Sequence, residues 1–184
     1  MILLVRHGET EWSATGRHTS HTDLPLTAEG RSRAQELGAS LAGQTFALVL
    51  TSPLRRARET CELAGFADAA ELCDDLHEWD YGEYEGLTTP EIRESDPDWV
   101  LWRDGCPGGE QPDKVAARAD RALARLRDAD GDALAFAHGH ILRVLAARWI
   151  GMDVTAGARL ALKAGAVSAL GFERETEVIE RWNG

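Results

Sequence analysis

The chain has 184 residues, of which 43% are hydrophobic and 28% charged, and its formal net charge is -11. This composition predicts a soluble globular protein, and the length fits one domain spanning residues 1–184. The negative charge disfavours nucleic acid and membranes as partners, because both attract basic surfaces. Any anion site must therefore be a local basic pocket.

The cysteines and the N-terminus indicate the compartment. Three cysteines, Cys61, Cys73 and Cys106, stand far apart, with no Cys-x-x-Cys pair for zinc or redox chemistry. The apolar run at residues 1–5 is too short for a signal peptide or a membrane span, and no basic segment precedes it. We therefore expect reduced thiols and a cytoplasmic protein.

The first half of the chain alternates short apolar runs with amphipathic segments. The runs predict buried strands at residues 1–5, 47–50 and, with a weaker pattern, 71–73. A helix follows each of the first two runs. Thr27 is expected to cap the first helix and Gly43 to end it, whereas Ser52-Pro53 and Gly65 bound the second. The aromatic and acidic segment 79–84 is interpreted as a loop.

The second half continues the alternation. We predict a helix after the loop at 107–112, a strand at 133–137, a tight junction at 138–140, another helix, and a closing hairpin at 167–172 and 178–182. Strands that alternate with helices favour an α/β fold, a three-layer sandwich whose mostly parallel central sheet is flanked by helices. The last strand would offer an edge for a homodimer.

Groups suited to phosphate chemistry follow three of the predicted strands. They are Arg6-His7-Gly8, Arg55-Arg56 and His138-Gly139-His140. Ligands of such sheets bind beyond the carboxyl ends of the strands, so these groups can meet in one anion pocket. Arginine matches phosphate oxygens with its planar fork, and a neutral imidazole can attack phosphorus when its other nitrogen donates to a fixed acceptor. Each group alone is more simply a polar cap or a solvated helix face; their joint placement predicts the pocket.

These groups belong to an ordered series of motifs along most of the chain. The series is Arg6-His7-Gly8-Glu9-Thr10 with Trp12, Thr27-Ala28-Glu29-Gly30, Ser52-Pro53-Leu54-Arg55-Arg56-Ala57 with Thr60, Glu78-Trp79-Asp80-Tyr81-Gly82, Gly108-Gly109-Glu110 and His138-Gly139. With this series the chain resembles the histidine phosphatase superfamily, in particular its compact acid phosphatases and sugar bisphosphatases. The resemblance implies a phosphoglycerate mutase-like fold.

The resemblance also implies roles for particular residues. His7 is the implied nucleophile, and Glu78 the implied proton donor that later activates water. The transferred phosphoryl group is expected to be clamped by Arg6, Arg56 and His138. Further phosphate or substrate contacts are expected from Gly139, Ser13 and Thr19, although Ser13 replaces an asparagine common in mutases. The neighbouring Asp80, Glu83 and Glu85 are expected to be ordinary loop carboxylates.

Neither a cofactor nor a metal is expected. A metal site is the weaker alternative, because the chain contains six imidazoles, His7, His18, His21, His77, His138 and His140. Arginines beside the expected site would repel a dication. The roles of His18, His21 and His140 stay open, and the substrate contacts suggested by the loops are Arg17, His18, His21, Trp102 and Arg103.

The expected activity is hydrolysis of small phosphorylated metabolites, such as sugar phosphates or bisphosphates, through a phosphohistidine. Phosphoglycerate mutase activity is the alternative, and it is less favoured because such mutases carry a longer insertion after the acid-bearing segment. A binding module that has lost turnover is a third interpretation. The presence of both His7 and Glu78 argues against it.

Overall fold

The computed structural model describes residues 1–184 and contains one six-stranded sheet in the order β3-β2-β4-β1-β5-β6. The strands are β1 at Ile2–Arg6, β2 at Leu48–Thr51, β3 at Ala70–Leu72, β4 at Ala133–Ala137, β5 at Val167–Glu173 and β6 at Thr176–Arg181. Strands β1 to β4 pair in parallel, whereas β5 and β6 are antiparallel to their neighbours. The predicted α/β fold with a mostly parallel sheet is confirmed.

Seven α-helices accompany the strands. They are α1 at Glu11–Thr15, α2 at Ala28–Leu41, α3 at Arg55–Leu63, α4 at Thr89–Ser95, α5 at Leu101–Asp104, α6 at Pro112–Arg127 and α7 at Gly139–Trp149. Short 3-10 segments occur at Ala67–Ala69, Asp74–Leu76, Gly82–Tyr84 and Val154–Arg159. No helix combines the length and the apolar character that crossing a membrane requires.

Helices cover both faces of the sheet. Leu3 of β1 belongs to a buried cluster with Leu37 of α2 and Cys61 of α3. The next residue, Leu4, belongs to a larger cluster that contains the apolar residues of α6 and α7. Because successive side chains of a strand point to opposite faces, α2 and α3 lie on one face and α6 and α7 on the other. The predicted three-layer sandwich is confirmed.

The carboxyl ends of β1, β2 and β4 meet at one edge of the sheet. The backbone N–H of His7 donates to the carbonyl of Ala137, and that of Ser52 donates to the carbonyl of Phe136, both at 2.9 Å. The parallel hydrogen-bond ladder thus continues just beyond the ends of the strands. It brings His7, Ser52 and His138 side by side.

The predicted strands agree with the structure to within two residues at each end. Thr27 caps α2 as expected, since its side-chain oxygen accepts from the N–H of Gly30 at 3.0 Å. Helices α2 and α3 each end two residues before the glycines expected to stop them, Gly43 and Gly65. The predicted junction at 138–140 is the cap and first turn of α7.

Helices α1, α4 and α5 were not predicted. Helix α4 has a signal in the sequence, because Thr88 and Glu91 form a capping box at its start. Helices α1 and α5 have only five and four residues, too few to show a helical period. The segment 79–84 is a loop as expected, except for the 3-10 turn at Gly82–Tyr84.

Two glycines let the loop after β1 cross the start of α2 at backbone contact distance. A Cβ atom at Gly8 would lie 2.5 Å from the carbonyl oxygen of Gly30, and one at Gly30 would lie 2.3 Å from that of Glu9. The crossing is tied by the N–H of Thr27, which donates to the carbonyl of Glu9 at 2.9 Å. The glycine of the Thr27-Ala28-Glu29-Gly30 motif therefore fixes the backbone next to His7.

We expect Gly30→Ala to destabilise the protein by about 1–3 kcal/mol, because the added methyl group overlaps backbone atoms that cannot move aside. Urea unfolding followed by circular dichroism measures the change. Ser32→Ala, at an exposed position of the same helix, should change stability by less than about 0.5 kcal/mol. Equal stability of the two variants would show that the crossing is not tight.

Candidate active site

His7 occupies the wall of a cavity of about 230 Å³ at the carboxyl edge of the sheet. Its Nδ1 lies 2.7 Å from the carbonyl oxygen of Gly8. Because a carbonyl can only accept, Nδ1 carries the proton and Nε2 keeps its lone pair. Burial, together with the charges of Arg56 and Arg6, holds the pKa of His7 well below its usual value. The imidazole is therefore neutral, with Nε2 as its only basic atom.

His138 lies behind His7, with the two ring centroids 5.2 Å apart. The Nε of Arg56 donates to Nδ1 of His138 at 3.1 Å, so the proton of this ring is on Nε2, which donates to Oγ of Ser52 at 2.7 Å. Burial, followed by the charge of Arg56, lowers the pKa of His138 well below its usual value. His138 is thus also neutral, in the opposite tautomer to His7.

Arg56 is fully buried and organises the loop that covers the site. Its terminal nitrogens donate to the backbone carbonyls of Thr19 at 3.0 Å and of Ser20 and Thr22 at 3.3 Å. Arg56 and His138 are not among the residues that line the cavity. The structure places this pair directly behind His7.

Arg6 lines the cavity, and part of its guanidinium has no hydrogen-bond partner in the chain. Its Nη1 donates to the carbonyl of Leu162, whereas its Nε is buried without any hydrogen-bond partner. The guanidinium packs on α7 at Gly139, where a Cβ atom would lie 3.3 Å from Cζ of Arg6. Nη2 also makes no hydrogen bond within the chain and, unlike Nε, is not buried, so Nη2 is the donor that a ligand in the cavity can reach. An oxyanion is a suitable acceptor for it.

Glu78 lies on the cavity wall at the N-terminus of α7. Its carboxylate accepts from the backbone N–H groups of Trp79 at 2.9 Å and of His140 and Ile141 at 3.0 Å. The side chain of His138 does not cap α7, so Glu78 satisfies helix donors that would otherwise be free. The carboxylate is held in one place next to the cavity.

An ion pair between the buried Arg118 and the half-buried Glu110 supports the segment that carries Glu78. Arg118 donates to Glu110 at 2.8 Å and also to the backbone carbonyls of Asp75, His77 and Glu78. Arg118 is not predicted as a functional residue from the sequence. The sequence does indicate that Arg118 is buried, because it stands on the inward face of α6, among the apolar residues that form the helical stripe.

Ser13 and Thr19 line the cavity as expected, but both hydroxyls form local turns. Oγ of Ser13 accepts from the N–H of Thr10 at 2.9 Å. Oγ1 of Thr19 donates to the carbonyl of Arg17 at 3.1 Å. Oγ of Ser13 also donates to the carbonyl of Thr10 at 3.0 Å, so both hydroxyl protons are committed to backbone carbonyls and only acceptor capacity is left for a ligand.

One expected loop carboxylate has a structural role. Glu85 accepts from the N–H groups of Ser20 and Thr22 at 2.9 and 3.0 Å, so this loop carboxylate ties its segment to the loop at residues 19–22. Asp80 lies 3.3 Å from Nε2 of the exposed His21, and Glu83 is exposed. Glu85 and Arg56 together fix the loop at residues 19–22.

The remaining wall contains two further neutral histidines. His18 donates from Nδ1 to the carbonyl of Leu87 at 2.8 Å, and Nδ1 of His140 lies 2.6 Å from the hydroxyl of Tyr81. Burial lowers the pKa of both histidines. Among the other suggested contacts, Arg17 lines the cavity, whereas His21, Trp102 and Arg103 do not.

The six imidazoles do not assemble a metal-binding group. No set of three or more His, Cys, Asp and Glu side chains in the chain has the arrangement that would hold a metal ion. His7 and His138 instead contact each other, and Arg56 donates to His138. Independence of metals and cofactors stays a prediction for solution experiments.

Comparison with known proteins places this geometry in a family. The sequence model of the family described as "Histidine phosphatase superfamily (branch 1)" matches residues 2–184. An acid phosphatase of Mycobacterium tuberculosis is 45% identical over 177 residues, covering 94% of this chain and 86% of its own length. A sedoheptulose 1,7-bisphosphatase of Saccharomyces cerevisiae is 38% identical, covering 83% of this chain and 68% of its own length.

A solved structure shows the same fold over almost the whole chain. It is the product of an open reading frame of Mycobacterium tuberculosis, with a TM-score of 0.93 and 41% sequence identity, and the match covers 99% of this chain and 96% of that one. The predicted resemblance and the predicted enzyme class are confirmed. The chain belongs to branch 1 of the histidine phosphatase superfamily and is a phosphatase.

Proposed function

We propose that the chain hydrolyses phosphomonoesters of small metabolites through a phosphohistidine on Nε2 of His7. The observation that carries this proposal is the fixed tautomer of His7, whose Nδ1 proton is committed to the carbonyl of Gly8. The lone pair on Nε2 is then the nucleophile, and the low pKa of the ring keeps it unprotonated.

In the first step Nε2 of His7 attacks phosphorus, and the bond from phosphorus to the alcohol oxygen breaks. Glu78, in its protonated form, gives its proton to the departing oxygen. In the second step the Glu78 carboxylate takes a proton from water as the water oxygen attacks phosphorus. The bond between phosphorus and nitrogen breaks, inorganic phosphate leaves, and His7 and Glu78 return to their starting forms.

The buried cations supply most of the stabilisation in this scheme. The accessible Nη2 of Arg6 would bind an oxygen of the phosphoryl group, and the charge of Arg56 would act from behind His7. His138 would hold Arg56 and Ser52 in place behind His7. Phosphoryl transfer requires little covalent chemistry beyond the nucleophile, so position and charge account for the rate.

The substrates proposed are sugar phosphates or bisphosphates. Two similar proteins are named acid phosphatase and sedoheptulose 1,7-bisphosphatase, and the cavity of about 230 Å³ is lined mainly by polar residues. A small, polar phosphorylated molecule fits such a site. Ser13, Thr19 and the backbone at Gly139 are the proposed additional contacts of the phosphate, and each hydroxyl would turn from its backbone carbonyl to donate to a phosphate oxygen.

Mutase activity would appear in the same assays. Incubation with 3-phosphoglycerate should release inorganic phosphate, whereas a mutase would form 2-phosphoglycerate. A binding module would release no phosphate from any phosphomonoester, and His7→Ala would leave its ligand affinity intact.

A cytoplasmic location stays a prediction, and the three free and buried cysteines support it. A single domain, a homodimer through the edge strand β6, and the lack of nucleic-acid and membrane partners also stay predictions.

His7→Ala should abolish turnover, with a loss of at least about 10⁴-fold in kcat, because no other group can form the covalent intermediate. Phosphate release from p-nitrophenyl phosphate measures the loss. The control is His21→Ala, since the side chain of His21 is 70% exposed and lies outside the cavity; its kcat should stay within about twofold. Substantial turnover by His7→Ala would refute the nucleophile.

Glu78→Gln should slow esters of poor leaving groups far more than p-nitrophenyl phosphate. Protonation of an alkoxide contributes about 10²- to 10⁴-fold, whereas a nitrophenolate leaves without help. The ratio of kcat/KM for glycerol 3-phosphate and p-nitrophenyl phosphate measures the difference, with the exposed Glu83→Gln as the control. Equal losses on both substrates would move the acid role to another residue.

Folding stability should fall as the pH drops from 7.5 to 5.5. Burial lowers the pKa of His7, His138 and His140, so in this range the unfolded chain takes up protons that the folded chain does not bind. Each such histidine contributes a slope of up to about 1.4 kcal/mol per pH unit.

Scanning calorimetry across this range measures the slope of Tm against pH. His138→Gln should flatten the slope, because Gln removes one titrating group, while His21→Gln at an exposed position should follow the wild type. A wild-type Tm that stays constant between pH 7.5 and 5.5 would contradict the assignment of neutral, buried rings.

A further inference from the structure

Arg143 is a cation on the cavity wall that the proposed chemistry does not use. It lines the same cavity as His7, Arg6 and Glu78. No carboxylate lies within salt-bridge distance of it, whereas the other arginine on the outer wall, Arg17, is paired with Glu91 at 3.1 Å. Arg143 therefore has no ion-pair partner in the chain.

The guanidinium of Arg143 is held rigidly. Its Nε donates to the carbonyl of Gly157 at 2.9 Å, its Nη2 donates to that of Ala158 at 3.2 Å, and its Cζ lies 4.6 Å from the ring centroid of Trp102. Nη1 makes no hydrogen bond within the chain. A fixed guanidinium with a free edge is preorganised to bind an anion, because little side-chain freedom is lost on binding.

Helix α7 sets the spacing between the two ends of the cavity. Gly139, at its first turn, contacts the guanidinium of Arg6, and Arg143 stands four residues later. This corresponds to a rise of about 6 Å along the helix. Arg143 and Arg6 line the same cavity, so one molecule can contact both. A spacing of this size along the helix suits a molecule with a short carbon chain between two charged groups.

The charge balance in the first step leaves Arg143 uncompensated. Glu78 is protonated when it acts as the acid, so the charges near a phosphate ester with two negative charges are those of Arg6 and Arg143 on the cavity wall and of Arg56 behind His7. Two cations match that ester, and the third requires another anion. Because Arg6 and Arg56 flank His7, Arg143 is the one that remains.

We propose that Arg143 forms a second anion subsite, which binds a phosphate or carboxylate on the part of the substrate remote from the transferred phosphoryl group. This inference rests on the proposed phosphatase function and makes it more specific. The shared chemistry is an anionic oxygen group that accepts from the free Nη1 of Arg143. Substrates with such a group are preferred over matched monoesters that lack it.

Two matched pairs of substrates test the proposal. Glycerol 3-phosphate and 3-phosphoglycerate differ by a terminal carboxylate, and fructose 6-phosphate and fructose 1,6-bisphosphate differ by a second phosphate. Phosphate release gives kcat/KM for each. The wild type should prefer the more anionic member of at least one pair, and the pair that shows the preference identifies the second group as carboxylate or phosphate.

Replacing Arg143 should reduce that preference by about 10- to 100-fold, the range expected for a charge-assisted hydrogen bond. Arg143→Met removes the charge, and Arg143→Gln does so while keeping a donor for the carbonyl of Gly157, in case the methionine variant does not fold. The control is Arg148→Met on the same helix, whose side chain pairs with Asp120 outside the cavity; its preference should equal that of the wild type.

Three results would overturn the subsite. The first is a wild type that prefers the less anionic member of both pairs or shows no preference. The second is a set of Arg143 variants that keep the wild-type preference. The third is an equal loss of activity on both members of a pair in these variants, which indicates a purely structural role. Failure of the phosphatase proposal looks different, since no phosphate would be released from any substrate, including p-nitrophenyl phosphate.

Discussion

The hydrogen bond between Nδ1 of His7 and the carbonyl of Gly8 is the constraint on which the site depends. It selects the tautomer that leaves Nε2 free. The carbonyl is fixed because Oγ1 of Thr60 accepts from the N–H of Gly8 at 3.0 Å and because Gly8 crosses Gly30 at backbone contact distance. The arginines that suppress protonation of His7 are the same groups that attract a phosphoryl group. One arrangement thus prepares the nucleophile and the binding site.

The chain has a net charge of -11, yet its site is cationic because individual arginines are buried there. Arg6 and Arg56 follow or terminate strands and are buried there, while many other arginines are paired with carboxylates at the surface. The one carboxylate on the same wall, Glu78, is held by backbone donors at the start of α7 rather than by an arginine side chain. Its charge therefore does not tie up the arginines that would bind substrate.

The sequence was sufficient for the alternation of strands and helices, the order of the layers and the set of residues near His7, because these follow from hydrophobic period and from motifs at strand ends. It was insufficient where function depends on packing between distant segments. Glu85 is tied to the loop at 19–22, and Arg118 supports Glu78 through carbonyls some forty residues away in sequence. The short helices α1 and α5 lack a period, and the burial of Arg56 behind His7 requires the assembled sheet.

The most direct test of the account is to trap the intermediate. Protein mixed with radiolabelled phosphomonoester and quenched in alkali within milliseconds should carry label that is stable in base, is released by acid and maps to the peptide containing His7. Label on another residue, or a burst of phosphate release with no protein-bound label at any time, would contradict a phosphohistidine at this position.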